Sequence, residues 1–313
     1  MYRRIETRKR SFLFSIIIFF ISGCASVRHA TPPDLLSSVR VSGMQDIRAF
    51  SGNPSEIFKK DFMKLLDQEQ KNNPSIFNLK APRIYSVLAI SGGAGNGAYG
   101  AGLLTGWAQT GTRPVFRVVT GVSVGAIIAP FVFLGGQYDD KLKAFFSQYS
   151  TKNIMRIRFP LGIPFSNSLS TTWPLERSIE RYFDLDLLKQ IAIEYDKGRR
   201  LYVGTTNLDA QQLVIWDMGK IASIGGDKAL KLFRKIILAS ASAPVVFPPV
   251  YLKVEANHKI YDEMHVDGGV TRKVFFLYDV LQGLDQEIKE KGMDTSRIKY
   301  KIYVIKNSYV DPL

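Results

Sequence analysis

The sequence predicts an α/β fold with a mostly parallel central sheet, and a pattern that occurs twice carries that prediction. Tyr85–Ile90 (YSVLAI) is a short apolar run, followed by the glycine-rich turn SGGAGNGAYGAG and a helical pattern from Ala98 to Gln109. Phe116–Thr120 (FRVVT) is a second such run, followed by Gly121-Val122-Ser123-Val124-Gly125 and an apolar helix over Ala126–Leu134. Strands that each hand the chain to a helix run in the same direction and build a parallel sheet. The remaining segments extend it. Leu201–Thr206 and Gln211–Asp217 are two more strands around the turn Asn207-Leu208-Asp209-Ala210. Lys228–Leu238 is helical, and Lys299–Lys306 (KYKIYVIK) alternates as a late strand.

Composition bounds the function. The 313 residues are 46% hydrophobic, 12% aromatic and 22% charged, a globular balance that excludes a disordered chain, a collagen and a coiled coil. One Cys excludes an internal disulfide framework and a multi-cysteine metal site, and three His leave little for a histidine-rich centre. A net charge of +14 suits an anionic partner. No dense Lys/Arg run or basic–aromatic repeat follows the N-terminus, so nucleic acid is not the expected partner.

The N-terminus carries an address. MYRRIETRKR holds five basic residues and SFLFSIIIFFIS is almost wholly apolar. The apolar run is shorter than the ~20 residues of a comfortable bilayer span and has the form of an export signal. Ile21-Ser22-Gly23-Cys24 resembles a bacterial lipobox, which implies cleavage before Cys24 and lipidation of that residue. The rival is a buried structural Cys in an uncleaved anchor. Loss of residues 1–23 takes five basic residues and one acidic residue and leaves +10 of the +14. Ala25 in the next position, where an Asp would retain the protein at the inner membrane, favours an outer-membrane anchor facing the periplasm.

The expected organisation is therefore a signal over 1–23, a tether and lead-in over 24–83, and a compact domain over 84–313. In the lead-in, apolar residues at 57, 58, 62, 63, 65 and 66 predict an amphipathic helix between Pro54 and Asn73. The stretch 148–175 is an irregular excursion that suits a lid, a lipid-facing surface or a plain connection. Within it Lys152–Arg158 (KNIMRIR), near Phe159 and Phe165, is either a contact for anionic headgroups or a solvated loop.

Three elements carry chemistry. Gly121-x-Ser123-x-Gly125 between a strand and a helix is a nucleophile-elbow pattern: small neighbours permit a sharp turn, and the helix start aims N–H groups at an oxyanion. Gly92-Gly93-Ala94-Gly95-Asn96-Gly97 supplies consecutive backbone N–H groups for an oxyanion or a phosphate. A dinucleotide fingerprint fits it only in the alanine variant, with no acidic ribose ligand about twenty residues on, and the Walker pattern fails. Asp267, in Val266-Asp267-Gly268-Gly269-Val270, stands at a strand end as either a general base or a turn cap, and the pattern alone favours the cap. No motif pairs His258 or His265 with an acid, and both are expected in surface or turn positions.

Taken together, these segments resemble the patatin-like phospholipases. Ser91–Gly102 resembles that family's glycine-rich oxyanion loop, and Gly121–Gly125 its nucleophile elbow. Leu238–Pro249 (LASASAPVVFPP) resembles its Ala-Ser-x-Ala-x-Pro segment, and Asp267-Gly268-Gly269 its D-G-[GA] motif. The pair Thr206–Asp209 and Trp216-Asp217 resembles the hairpin between them, and the match runs over residues 85–310. The resemblance implies a three-layer α/β/α core and a Ser–Asp dyad, with Ser123 as nucleophile and Asp267 as base. It implies an oxyanion hole from the N–H groups of Gly92, Gly93 and Ala94, with Gly95 adjoining. It further implies a lipid ester substrate and no cofactor. His258 and His265 would then be dispensable. The lipobox-like segment implies a membrane reached through Cys24, and no metal site is evident in the sequence, so activity is expected to survive a chelator. Alternatives are an acyltransferase using the same dyad and a membrane-tethered binding protein without catalysis. Two departures stand out: Asn96 replaces the family's frequent Arg or Lys, and Ala94 replaces a Gly, which is tolerable only at negative φ. The chain also ends at Leu313 soon after its last strand, where related proteins are expected to continue.

Overall fold

The computed structural model describes residues 28–72, 83–147, 156–157, 168, 170–278, 281, 284–290, 292 and 298–308. The expected signal, Cys24, Lys152–Met155, Phe159 and Phe165 lie outside the described residues. In chain order the elements are β1 (Arg48–Phe50), α1 (Glu56–Asn72), β2 (Arg83–Ile90), α2 (Gly97–Gln109), β3 (Phe116–Val122) and α3 (Val124–Leu134). Then come α4 (Asp139–Ser147), β4 (Arg156–Ile157), β5 (Ser170–Thr171), α5 (Trp173–Tyr182), α6 (Leu185–Asp196), β6 (Arg200–Asn207) and β7 (Gln212–Asp217). The last are α7 (Met218–Ile224), α8 (Gly226–Ser240), β8 (Val250–Ala256), β9 (Lys259–Asp267), α9 (Leu284–Glu290) and β10 (Ile298–Ile305).

Side-chain alternation makes the layers. In β6, Leu201 and Val203 enter one core and Tyr202 the other; in β7, Val214 and Trp216 oppose Leu213 and Ile215. Strands with both faces buried are almost wholly apolar because helices cover each side. One cover includes α3, whose eleven residues are all buried, together with α6 and α8. The other includes α1, through Phe58, Met63, Leu65 and Leu66. The result is a three-layer α/β/α fold.

The sheet order is β1-β7-β6-β3-β2-β10, and β9, paired in turn with β8, joins the C-terminal end of β6. From the β10 edge inward, the run β10-β2-β3-β6 is parallel throughout, as the two strand–turn–helix repeats require. Antiparallel pairs, β6 with β7, β7 with β1 and β6 with β9, lie on the other side of that run. The stretch 148–175 contributes the short pair β4–β5 and the start of α5 among its described residues.

The lead-in is built into the domain. β1 pairs with β7, and Val39, Ile47 and Phe58 are 1% exposed. The predicted amphipathic helix forms as α1, and Asp61 on it accepts from Arg200 Nε and Tyr195 Oη at 2.6 Å each. Beside Asp61, burial drives the Asp217 carboxyl up to about 8. Among the described residues no helix is long and apolar enough to cross a membrane.

Candidate active site

Four parallel strands present their C-terminal ends on one side, where open α/β sheets place their ligands. Two of the turns leaving those ends are packed backbone on backbone. A Cβ on Gly125 would sit 2.3 Å from the Ile90 carbonyl oxygen, and one on Gly121 would sit 2.4 Å from the Gly125 oxygen. Side chains are therefore excluded, and β3 turns into α3 within one residue, Ser123. Its φ of 57° and ψ of −126° lie in strained territory for a side-chain residue.

The strain is held from behind. The Ser123 N–H donates to Ser240 Oγ at 2.9 Å, and the Ser240 hydroxyl donates to the Gly204 carbonyl at 2.7 Å. Ser240 is fully buried at the end of α8 and ties the elbow to β6. Sequence reasoning included it in a motif without a role; its partner is 117 positions away.

Ser123 Oγ donates to Asp267 Oδ2 at 2.6 Å. Asp267 Oδ1 accepts from the Gly269 N–H at 2.7 Å, so one oxygen caps the turn while the other meets Ser123. The Asp267 backbone is fixed by its N–H on Ser242 O and by Thr206 Oγ1 on its carbonyl, each at 2.9 Å. Burial pushes the Asp267 carboxyl above the usual carboxylate range; the Ser123 hydroxyl and the Gly269 N–H pull partly against it. No cation is among the groups that shift Asp267; the donors that favour its charged form are neutral.

The glycine loop faces the same space, with one change from expectation. The Gly92 N–H donates to the Lys273 carbonyl at 3.2 Å and so is already engaged. Among the described residues, no protein acceptor takes the N–H groups of Gly93, Ala94 or Gly95. The loop is clamped from β10. Asn307 donates through its N–H to Ser91 Oγ at 2.8 Å and through Nδ2 to Ser91 O at 2.9 Å. A Cβ on Gly93 would lie 1.7 Å from the Asn307 oxygen. Asn307 escaped sequence reasoning because it follows the last strand with no motif of its own.

Ala94 contradicts its expectation directly: its φ is +48°, not negative. The loop must reverse into α2 there, and the methyl accepts the left-handed conformation at about 1–2 kcal/mol. Val245, in the loop after α8, also has a positive φ, +70°, which is unusual for a β-branched residue.

The two histidines part company. His258 lies exposed in the β8–β9 turn, as expected. His265 does not lie at the surface or in a turn. It is fully buried on β9, with Nδ1 2.9 Å from Thr205 Oγ1 and Nε2 3.1 Å from Glu263 Oε2. The ionised Glu263 can only accept, so Nε2 carries the proton of the neutral ring and Nδ1 accepts from the Thr205 hydroxyl, whose oxygen also accepts from Trp216 Nε1 at 2.8 Å. Both ring nitrogens are thereby occupied away from Ser123. Burial holds His265 below its ordinary range despite Glu263.

Ser123 and Asp267 open into a cavity of about 690 Å³ walled by Gly92–Gly95, Val124, Pro244, Val246, Phe247, Val270 and Lys273, among others. A buried hydroxyl on a carboxylate, beside unpaired N–H groups in a mostly apolar cavity, is the arrangement for nucleophilic attack on a carbonyl. Among the described residues no group of three His, Cys, Asp or Glu is placed to hold a metal.

A family model described as patatin-like phospholipase matches residues 88–279. Among solved structures, the crystal structure of VipD from Legionella pneumophila is similar at 14% identity with a TM-score of 0.42, covering 74% of this chain. The match covers 51% of that chain, so this protein spans about half its length. No curated protein matches.

Proposed function

The chain belongs to the patatin-like phospholipase family, a family of lipid acyl hydrolases, and from that premise we propose that it cleaves lipid acyl esters with Ser123 as nucleophile and Asp267 as base. The observation that carries this reading is the 2.6 Å hydrogen bond from Ser123 Oγ to Asp267 Oδ2 at the floor of the cavity.

The steps follow from the geometry. Ser123 Oγ attacks the ester carbonyl while its proton passes to Asp267 Oδ2. The oxyanion forms against the N–H groups of Gly93, Ala94 and Gly95, and one such donor is worth about 10²–10³ in rate. Asp267 returns the proton to the leaving alcohol, and an acyl-Ser123 remains. Water enters and gives a proton to Asp267 as its oxygen attacks the acyl carbon; Asp267 then passes that proton to Ser123 Oγ as the ester bond to Ser123 breaks and the fatty acid leaves. The elevated carboxyl pKa brings the base nearer the hydroxyl it must deprotonate. Because the base acts ionised, kcat/KM falls as pH drops through that elevated value.

The test is hydrolysis of a short-chain chromogenic ester and of phospholipid vesicles by wild type, Ser123→Ala and Asp267→Asn. Both variants should lose about 10³–10⁴-fold in kcat with unchanged unfolding midpoints. An active Asp267→Asn would overturn the dyad.

The lipobox-like Ile21–Cys24 supports a lipid anchor on Cys24 that holds the enzyme in the bacterial cell envelope, at the outer membrane facing the periplasm. Several acyl chains at about 0.8 kcal/mol per buried CH₂ would make the anchor stable. Metabolic labelling with a fatty-acid probe should mark wild type and not Cys24→Ser; equal labelling would remove the anchor.

A further inference from the structure

The wall of the catalytic cavity continues outward into an exposed apolar rim. Val245 is 67% exposed and Val270 is 52% exposed. Val245 lies between Pro244 and Val246, both in the cavity wall, and Val270 is in the wall itself, three residues after Asp267. The backbone holds Val245 at φ +70°, where a valine is strained, in a loop whose neighbouring residues shape the site. Exposed apolar residues occur elsewhere on the surface, but these two adjoin the wall of one apolar cavity and extend it outward, the setting in which an exposed apolar patch marks a contact site.

Charge identifies the cover. Arg272 and Lys273 are exposed on the turn that carries Val270. Among the described residues of the wall, Lys273 is the one cation and Asp267 the one carboxylate, and Asp267 is buried at the floor. Without residues 1–23 the chain still carries +10. Apolar tips beside exposed cations match an interface where acyl chains lie beneath anionic headgroups. The geometry points to the Val245 and Val270 rim, with Arg272 and Lys273, as the face that docks the catalytic cavity onto an anionic lipid bilayer. The valines enter the acyl boundary, the cations meet phosphate, and an ester enters the cavity without crossing water. This rests on the hydrolase reading for its purpose, but docking is measurable without turnover.

The test uses the full chain with Cys24→Ser, which removes the one native cysteine, and Val245→Cys carrying an environment-sensitive fluorophore. Phosphatidylglycerol vesicles should shift its emission to the blue. The same label at Ile260→Cys, an exposed site at the start of β9 and about 23 Å of strand from Asp267, should not respond. No shift at position 245, or equal shifts at both positions, would overturn the proposal. An equal shift at 245 on phosphatidylcholine vesicles would overturn the anionic assignment. In a second arm, Val245→Asn suits the positive φ and removes the apolar tip. It should lower hydrolysis of phosphatidylglycerol vesicles about tenfold and leave soluble short-chain ester turnover within twofold. Equal losses on both substrates would contradict docking. A chain inert on both substrates, with the 245 label still shifting, would sink the hydrolase reading alone.

Discussion

Two carboxylates on β9, four residues apart, meet opposite fates. Asp267 faces a hydroxyl and a backbone N–H, and burial leaves its pKa raised. Glu263 is buried too, but His265 and the Arg48 guanidinium outweigh that burial and bring it down to about 2. Arg48 Nη2 lies 3.0 Å from Glu263 Oε1, and Arg48 also stacks over Trp216 at 5.2 Å. A neighbouring cation separates the two carboxylates. It locks Glu263 into its charged form. Asp267 has only neutral donors and keeps a raised pKa, as the proposed general base requires. The one histidine near the site belongs to the locked end.

Removing the cation from Glu263 should have the largest effect. Arg48→Met leaves a buried carboxylate without its cation and should lower the unfolding free energy by about 3–5 kcal/mol, read by denaturant titration. A change within 0.5 kcal/mol, on the order of an ordinary surface substitution, would show that Arg48 does not hold that end.

Acid should separate the two ends next. The folded pKa of Glu263 lies below its ordinary 4.5, so its stabilisation is present above 4.5 and fades as pH falls toward 2. It amounts to about 3 kcal/mol. His265, also depressed, adds loss below 6.5. Asp267 has the opposite sign: its folded pKa is raised, so its contribution falls as pH rises through that value. Stability measured from pH 7 to 2 should therefore drop in acid for wild type and drop less for Glu263→Gln. Identical slopes would contradict the assignment.

At the reactive end the expected effect is smaller. Ser240→Ala removes the acceptor behind the Ser123 N–H and should lower kcat about tenfold with KM nearly unchanged, since a buried donor left unpaired costs about 1–3 kcal/mol. A rise in KM at constant kcat would place Ser240 in substrate binding instead.

Legibility in the sequence followed the range of the interactions. The strand–turn–helix units were legible because period and glycine placement are local: predicted strand 116–120 is observed as Phe116–Val122, and predicted helix 98–109 as Gly97–Gln109. Ser123 and Asp267 stood out as motif residues, but Asp267 could not be told from a turn cap until Ser123 lay beside it, 144 positions away. The burial of His265 was hidden because Thr205 is 60 residues distant, and its other partner, Glu263, is itself fixed by Arg48, 215 residues distant. The positive φ of Ala94 was hidden for another reason. The turn's curvature is set by the Asn307 clamp and the helix that follows, not by the alanine's own preference.

The most direct measurement is fluorophosphonate labelling, with the modified residue located by mass spectrometry in wild type, Asp267→Asn and His265→Gln. Labelling on Ser123 in wild type and in folded His265→Gln, with Asp267→Asn slowed by orders of magnitude, is the predicted result. Labelling that survives Asp267→Asn and vanishes with His265→Gln would contradict the account.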